Sequence, residues 1–277
     1  MVVCRWGESA KWSESKMYCY IYDESTQDKR FEKEVMAIEN RLTDLGIAGK
    51  ILRRALFRNI QEMVRDEIRR GTGTLVAVGG DDILRSVIDT AIGSQVTVAT
   101  IPLGSPTTLA EVFGVPSGLA ACDVLSARIV ETIDIGTVNG RRFVTGLSIP
   151  EFRAELTCEG QYRLFPTTVG ALEVRNLGGG EDGDTLADPT DGRLEAIIRV
   201  QVKNGWGPFA RAHTAQTCLP FTSIAIRSEE PIALLADGEE MTGTRFDIGI
   251  EPMVLKVVTG RARKFATRLS SDRAGNF

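Results

Sequence analysis

The sequence predicts an α/β N-terminal domain, doubly wound and Rossmann-like, followed by a C-terminal all-β sandwich-like domain. Three observations predict it. Up to about residue 120, short apolar runs alternate with amphipathic helical stripes, as in a parallel sheet covered by helices. From Val124 onward the chain changes to short period-two runs broken by Gly and Asn, the pattern of stacked antiparallel strands. Between Thr74 and Ile88 a valine-rich run meets a Gly-Gly pair and then a helical stripe, so the segment reads strand, glycine turn, helix. The expected partition is a leader over 1–15, an α/β domain over 16–122, a β-sandwich domain over 123–258 and a basic tail over 259–277.

Each element follows from local chemistry. Residues 17–22 are apolar and aromatic and read as the first strand. Phe31, Val35, Ile38, Leu42 and Leu45 share one helical stripe, which Gly46 ends. Ile51 and Leu52 suggest a short second strand, and Ile60, Met63, Val64 and Ile68 a second helix closed by Gly71. The opposite face of that helix carries Arg58, Arg65, Arg69 and Arg70, read as a solvated face. Residues 75–78 suit a strand buried on both sides, and Ile83, Leu84, Val87, Ile88 and Ile92 recur at helical spacing. Residues 96–101 give a further strand. Beyond it, strands are expected at 127–135, 142–149, 169–174, 194–202, 221–226 and 253–258, with 208–215 the one stretch that could form a helix.

Composition excludes several classes of function. The 277-residue chain is 43% hydrophobic and 25% charged, ordinary for a globular protein with one large or two medium cores. A formal net charge of −4 argues against general binding to nucleic acid. No run of about 18 apolar residues offers a membrane span, and residues 1–16 lack the apolar core of a secretory signal. Five scattered cysteines, never paired as Cys-x-x-Cys, read as reduced thiols of a cytoplasmic protein. The single histidine, His213, excludes multi-histidine metal clusters.

The Gly79-Gly80 turn is a phosphate-binding device in its own right: no Cβ obstructs the backbone, and helix N-terminal amides face an anion. Asp81 and Asp82 stand where carboxylates favour a helix start. Gly79-Gly80-Asp81 resembles the Gly-Gly-Asp-Gly-Thr signature of the diacylglycerol kinase catalytic domain and of bacterial lipid kinases, with Asp82 and Ile83 replacing the last two residues. The segment from Pro102 to Pro116 resembles the family's Pro-x-Gly-Thr-x-Asn segment, with Gly104 matching, Ser105 standing for the threonine and Thr107 for the asparagine. Residues 133–140 resemble its Ile-Asp-Leu-Gly-x-Val-Asn-Gly hairpin, Asp191-Gly192-Arg193-Leu194 its Asp-Gly-x-Leu strand start, and Asp237-Gly238-Glu239 its Asp-Gly-Glu turn. The resemblance runs from residue 17 to about 260.

That resemblance implies ATP-dependent phosphorylation of a hydroxyl on a diacylglycerol-like lipid or other small molecule, with ATP and Mg²⁺ required. Asp237 then stands as the general base with Glu239 beside it, and Gly79, Gly80, Asp81, Asp82, Gly104, Ser105 and Thr107 contact the nucleotide. Asp191 matches a residue near a structural Mg²⁺ in some members, in an acidic stretch that begins Glu181-Asp-Gly-Asp184. The resemblance leaves room for peripheral membrane contact and a homodimer. The residues alone keep plainer readings open: Asp237-Gly238 as a mere hairpin turn, the acidic stretch as a solvated loop, and the glycines as an ordinary strand-to-helix turn. Departures weigh against turnover. The family's Asn-Pro-x-Ser-Gly loop is replaced by Asp23-Glu24-Ser25-Thr26, and Asp82 brings a charge toward phosphate. Like charges about 4 Å apart at an effective dielectric near 20 repel by about 4 kcal/mol, unless Mg²⁺ bridges them. A kinase-fold binding or regulatory module without turnover is the alternative from another class, and a NAD kinase-like nucleotide kinase is a third reading.

Overall fold

The computed structural model describes residues 17–53, 59–166, 168–178, 186–204 and 211–266, with no side-chain description at 202–204 and 211–213. The expected leader and the end of the expected tail lie outside these residues.

Strand β1 (Tyr18–Tyr22) is buried along its whole length, between β2 (Lys50–Arg53) and β3 (Thr74–Gly79), both parallel to it. β4 (Thr97–Pro102) adds in parallel beside β3. Helices α1 (Glu32–Asp44), α2 (Ile60–Arg69) and α3 (Asp81–Ala91) join these strands, so each crossover is βαβ. Sequence dictates their ends. Asn59 caps α2 by accepting the Gln61 N–H at 2.8 Å, and α1 stops where Gly46 turns to φ +68°. The order β2-β1-β3-β4 reverses direction between β1 and β3, and in open α/β sheets that reversal opens a crevice at the strands' carboxyl ends. The crevice therefore falls between Tyr22-Asp23 and Gly79-Gly80.

Short helices α4 (Thr108–Val112) and α5 (Ala120–Ala127) follow, and the expected boundary near residue 122 falls inside α5. Beyond it the described residues form strands: β5 (Ile129–Val138), β6 (Arg141–Phe143), β7 (Gly146–Phe152), β8 (Glu155–Cys158), β9 (Tyr162–Leu164), β10 (Gly170–Arg175), β11 (Leu194–Asn204), β12 (Arg211–Phe221), β13 (Ser223–Ala236) and β14 (Glu239–Thr259). They enclose a second core built on Phe143, Phe152, Phe221, Phe246 and Leu234, separate from the one under the parallel sheet. This is the expected α/β domain joined to a strand-rich, sandwich-like one.

Two local expectations are corrected. Residues 211–215 are not helical, because Arg211 to Phe221 pair residue for residue with β11, and that ladder satisfies their backbone. The run expected at 253–258 is the end of a strand of 21 residues that starts at Glu239. β14 pairs antiparallel with β13 and β5, then parallel with β4 at Lys256 and Val257. One strand thus belongs to both domains, and Leu255, Val257 and Phe265 enter the first core. The chain after it stays close: Lys264 N–H donates to Val112 C=O at 2.8 Å, and a Cβ at Gly114 would meet Arg263 N at 2.4 Å.

The arginine face of α2 is only partly idle. Arg69 pairs with Asp66, while Arg70 reaches Glu67 at 2.8 Å. Glu67 is buried and also takes the Lys50 ammonium at 2.6 Å. A buried carboxylate needs such partners, so this cluster pins α2 to β2.

Candidate active site

The glycine turn is tightly built. Gly79, at the end of β3, has φ +149°, and a Cβ there would lie 2.8 Å from Asp23 Cβ and 3.0 Å from Ile83 Cγ2. Only glycine fits such a conformation in so narrow a gap. Asp23 stands across it at the end of β1, its carboxylate accepting the Ser25 hydroxyl at 2.6 Å. Both expected nucleotide segments meet here. Leu103 N–H donates to Gly79 C=O at 3.0 Å and Asp81 N–H to Pro106 C=O at 2.8 Å. The remaining first-turn amides of α3 have no carbonyl of their own helix to pair with. Unpaired amides at a helix N-terminus favour an anion.

The two aspartates of the turn do different work. Asp81 is only 5% exposed and its carboxylate faces inward, accepting the Leu109 N–H at 3.1 and 3.3 Å. It caps the first turn of α4 from outside and thereby fixes residues 102–107 against the glycine turn. Asp82 is exposed beside it. Gly104 and Ser105 are exposed in the loop so held, and Thr107 is half-buried at the start of α4.

Asp237 and Gly238 form a two-residue hairpin between β13 and β14, with φ +49° and +85°. Two positive φ values are what an Asp-Gly pair supplies in a tight hairpin. The Asp237 carboxylate is turned back onto the chain between β6 and β7. Oδ1 accepts the Thr145 N–H at 2.8 Å, the Gly146 N–H at 3.3 Å and the Thr145 hydroxyl; Oδ2 accepts the Val144 N–H at 2.7 Å. Oδ2 also meets Arg85 Nη1 of α3 at 3.1 Å. This ion pair brings the Asp-Gly turn against the helix that starts at the glycine turn, one helical turn from Asp81 and Asp82. Glu239 does not join it: its side chain is 66% exposed and pairs with Arg141.

Charge around this contact is dense. The Asp89 carboxyl, one turn beyond Arg85, is held above the usual carboxylate range, first by desolvation and then by the charge of Asp237, against the pull of Arg85, Arg141 and Arg142. On the other side of Asp237 lies a cleft of about 480 Å³ lined by Thr145, Leu147, Ser148, Glu173, Arg175 and Leu235 among others. Burial raises the Glu173 carboxyl there, but hydrogen bonds and charge from Arg175 and Arg199 outweigh it and hold the carboxyl low. A second cavity, about 490 Å³, opens beside the carboxyl ends of β1 and β2, with Tyr22, Lys29 and Arg53 in its wall.

Asp191 lies apart from both, exposed before β11, where it accepts the Arg193 N–H at 2.8 Å. Behind it the buried Asp134 accepts from Gly192 N–H and Met253 N–H at 2.8 and 2.7 Å. Among the described residues no three His, Cys, Asp or Glu side chains converge as a metal site, and 181–184 lie outside the described residues. Arg85 is the residue sequence reading missed. It is the one cation among the eleven residues of α3, a signal visible in the sequence but indistinguishable there from a solvated charge.

A glycine turn at the switch point of a doubly wound sheet, faced by a turn from an appended β domain, defines a two-domain α/β-plus-β protein. Residues 17–138 match the family model of the diacylglycerol kinase catalytic domain. Over 86 residues the chain is 34% identical to a Pseudomonas aeruginosa protein named "Probable lipid kinase YegS-like", covering 30% of this chain and 28% of that one. It is 23% identical over 128 residues to a Bacillus subtilis diacylglycerol kinase, covering 45% and 42%. The alignments thus span less than half the length of these curated relatives. The fold matches a diacylglycerol kinase structure from Bacillus anthracis with a TM-score of 0.71 at 15% identity, over 89% of this chain and 98% of that one. Over residues 17–138 the chain is thus similar to the diacylglycerol kinase catalytic domain, and its fold is the one seen in that structure.

Proposed function

We propose that the protein transfers the terminal phosphoryl group of ATP to a hydroxyl of a lipid of the diacylglycerol type. The observation that carries this reading is the Arg85–Asp237 ion pair, which joins the glycine-turn helix to the Asp-Gly turn across 152 residues of sequence. Phosphoryl transfer needs bound phosphates, neutralised charge and a group to take the acceptor's proton. The glycine turn and the loop that Asp81 holds supply amides for the phosphates. The cavity walled by Tyr22, Lys29 and Arg53 would take the nucleoside, and the partly apolar cleft beside Asp237 the acceptor.

The residues fit a divalent cation of limited coordination by protein. Asp82 is exposed at the crevice while Asp81 is already engaged, so one carboxylate is on offer; Mg²⁺ is commonly held by one or two carboxylates together with substrate phosphates. Bound there, the ion would neutralise phosphate charge and remove the repulsion that Asp82 otherwise exerts. Asp237 takes the proton of the attacking hydroxyl, and its rigid mooring to residues 144–146 holds it in place for that step.

The test is calorimetric titration with ATP, with and without Mg²⁺, followed by measurement of label transferred from ATP to diacylglycerol in mixed micelles. Mg-dependent binding and labelled phospholipid are expected. Absence of binding at millimolar ATP would end the kinase reading, and binding without transfer to any hydroxylated lipid would leave a nucleotide-binding module.

A further inference from the structure

The turn that must receive a polyphosphate is ringed by acids. Asp23 faces it from β1, Asp82 stands exposed at its edge, and Asp81 lies beneath. The neighbouring arginines of the β domain are committed elsewhere: Arg141 to Glu239, and Arg142 through two nitrogens to Glu251. Arg85 differs from them. Its guanidinium is 27% exposed, it projects from the second turn of α3, and its partner does not depend on it. Without Arg85, the Asp237 carboxylate would still accept three backbone N–H groups and the Thr145 hydroxyl; only the Val144 N–H of these falls on Oδ2, so one acceptor site of Oδ2 would open. The ion pair can therefore be exchanged for another anion without stranding a buried charge.

Position decides which anion. The group that takes the acceptor's proton and the phosphorus that the acceptor attacks must both lie within reach of one oxygen. A guanidinium 3.1 Å from the proton-accepting carboxylate thus stands at the terminal phosphoryl group rather than at the nucleoside. We propose that Arg85 is the residue that binds the terminal phosphoryl group of the nucleotide, moving onto it from Asp237 and so freeing Oδ2 of Asp237 to take the acceptor's proton. This rests on the kinase reading above. In the step itself the acceptor O–H proton passes to Oδ2, and its oxygen forms a bond to the terminal phosphorus. The bond from that phosphorus to the bridging oxygen breaks, and its electron pair leaves on the nucleoside diphosphate. Until a triphosphate arrives, Oδ2 stays occupied, which keeps the carboxylate from acting on water or on an acceptor bound alone.

The experiment compares ATP and ADP affinities, by calorimetry with Mg²⁺, for the full chain and for Arg85→Ala, Arg85→Gln and Arg85→Lys. A charge-assisted contact to phosphate predicts a roughly ten- to hundredfold loss of ATP affinity in Arg85→Ala and Arg85→Gln. ADP affinity should change less than about threefold, and Arg85→Lys should recover part of the ATP loss by restoring charge without the planar fork. Equal losses for ATP and ADP, or no loss for either, would overturn the assignment of Arg85 while leaving the kinase reading intact. Failure of the wild-type chain to bind either nucleotide would overturn both. Thermal melts of the variants guard the comparison, since a merely structural arginine would lower stability without altering the ATP-to-ADP ratio.

Discussion

Asp81 offers the sharpest test of how the glycine turn works. Its position after Gly79-Gly80 marks it in the sequence as a nucleotide contact, yet its carboxylate is buried against the Leu109 N–H. Substitution by alanine leaves that amide buried without an acceptor, which costs about 1–3 kcal/mol. The cap of α4 is the same bond and is not counted twice, so about 2 kcal/mol is expected, a roughly 30-fold fall in the folded-to-unfolded ratio. Asparagine keeps one oxygen for the amide and ranks with aspartate as a cap, so Asp81→Asn should lose less than about 1 kcal/mol. Urea unfolding followed by fluorescence measures both. ATP calorimetry on Asp81→Asn should then give an affinity within about threefold of wild type, because the carboxylate orders the loop rather than touching the ligand. A variant of unchanged stability that has lost Mg-dependent affinity would refute the reasoning and return Asp81 to the ligand.

Three further outcomes follow from the same geometry. Gly79→Ala should destabilise by about 1–3 kcal/mol in urea unfolding, since its φ of +149° and the 2.8 Å approach of Asp23 leave no place for a Cβ; an unchanged midpoint would contradict the packing. Asp82→Asn should weaken ATP binding with Mg²⁺ and strengthen it without, the latter on the order of 1 kcal/mol after screening; the same sign in both calorimetric series would remove the cation from Asp82. For Asp89, the raised folded-state carboxyl means that folding favours its protonated form, so its contribution is favourable at low pH and is lost as pH rises through the folded value. Asp89→Asn should therefore gain stability over wild type near neutral pH, the gain fading below about pH 4 where both side chains are neutral; a pH-independent difference would show that desolvation and Asp237 do not set its titration.

Local chemistry was readable and long-range chemistry was not. The buried run of β3, the glycine break after it and the Asp-Gly hairpin each follow from neighbours within a few residues, and each stands where the pattern puts it. The roles of the two marked aspartates do not. Asp81 answers to an amide 28 residues away and Asp237 to amides more than 90 residues away, and no periodicity encodes such partners. Arg85 was invisible for the same reason: its meaning comes from a turn on another domain. The strand β14 extends well before the run expected at 253–258, because pairing with β13 carries it from Glu239 through Gly243 and Gly249.

The shared strand has a consequence for synthesis. The region that matches the kinase catalytic model ends at residue 138, but the parallel sheet inside it has an open edge at β4 until Lys256 and Val257 arrive. During translation the first four strands must wait, edge exposed, for more than 110 residues of later chain, and such an edge is a template for pairing with other chains. The first core, which draws Leu255, Val257 and Phe265 from beyond most of the second domain, closes only once those residues have been made. A premature stop anywhere before residue 255 therefore removes a wall of the domain that holds the glycine turn, and not merely the domain that faces it.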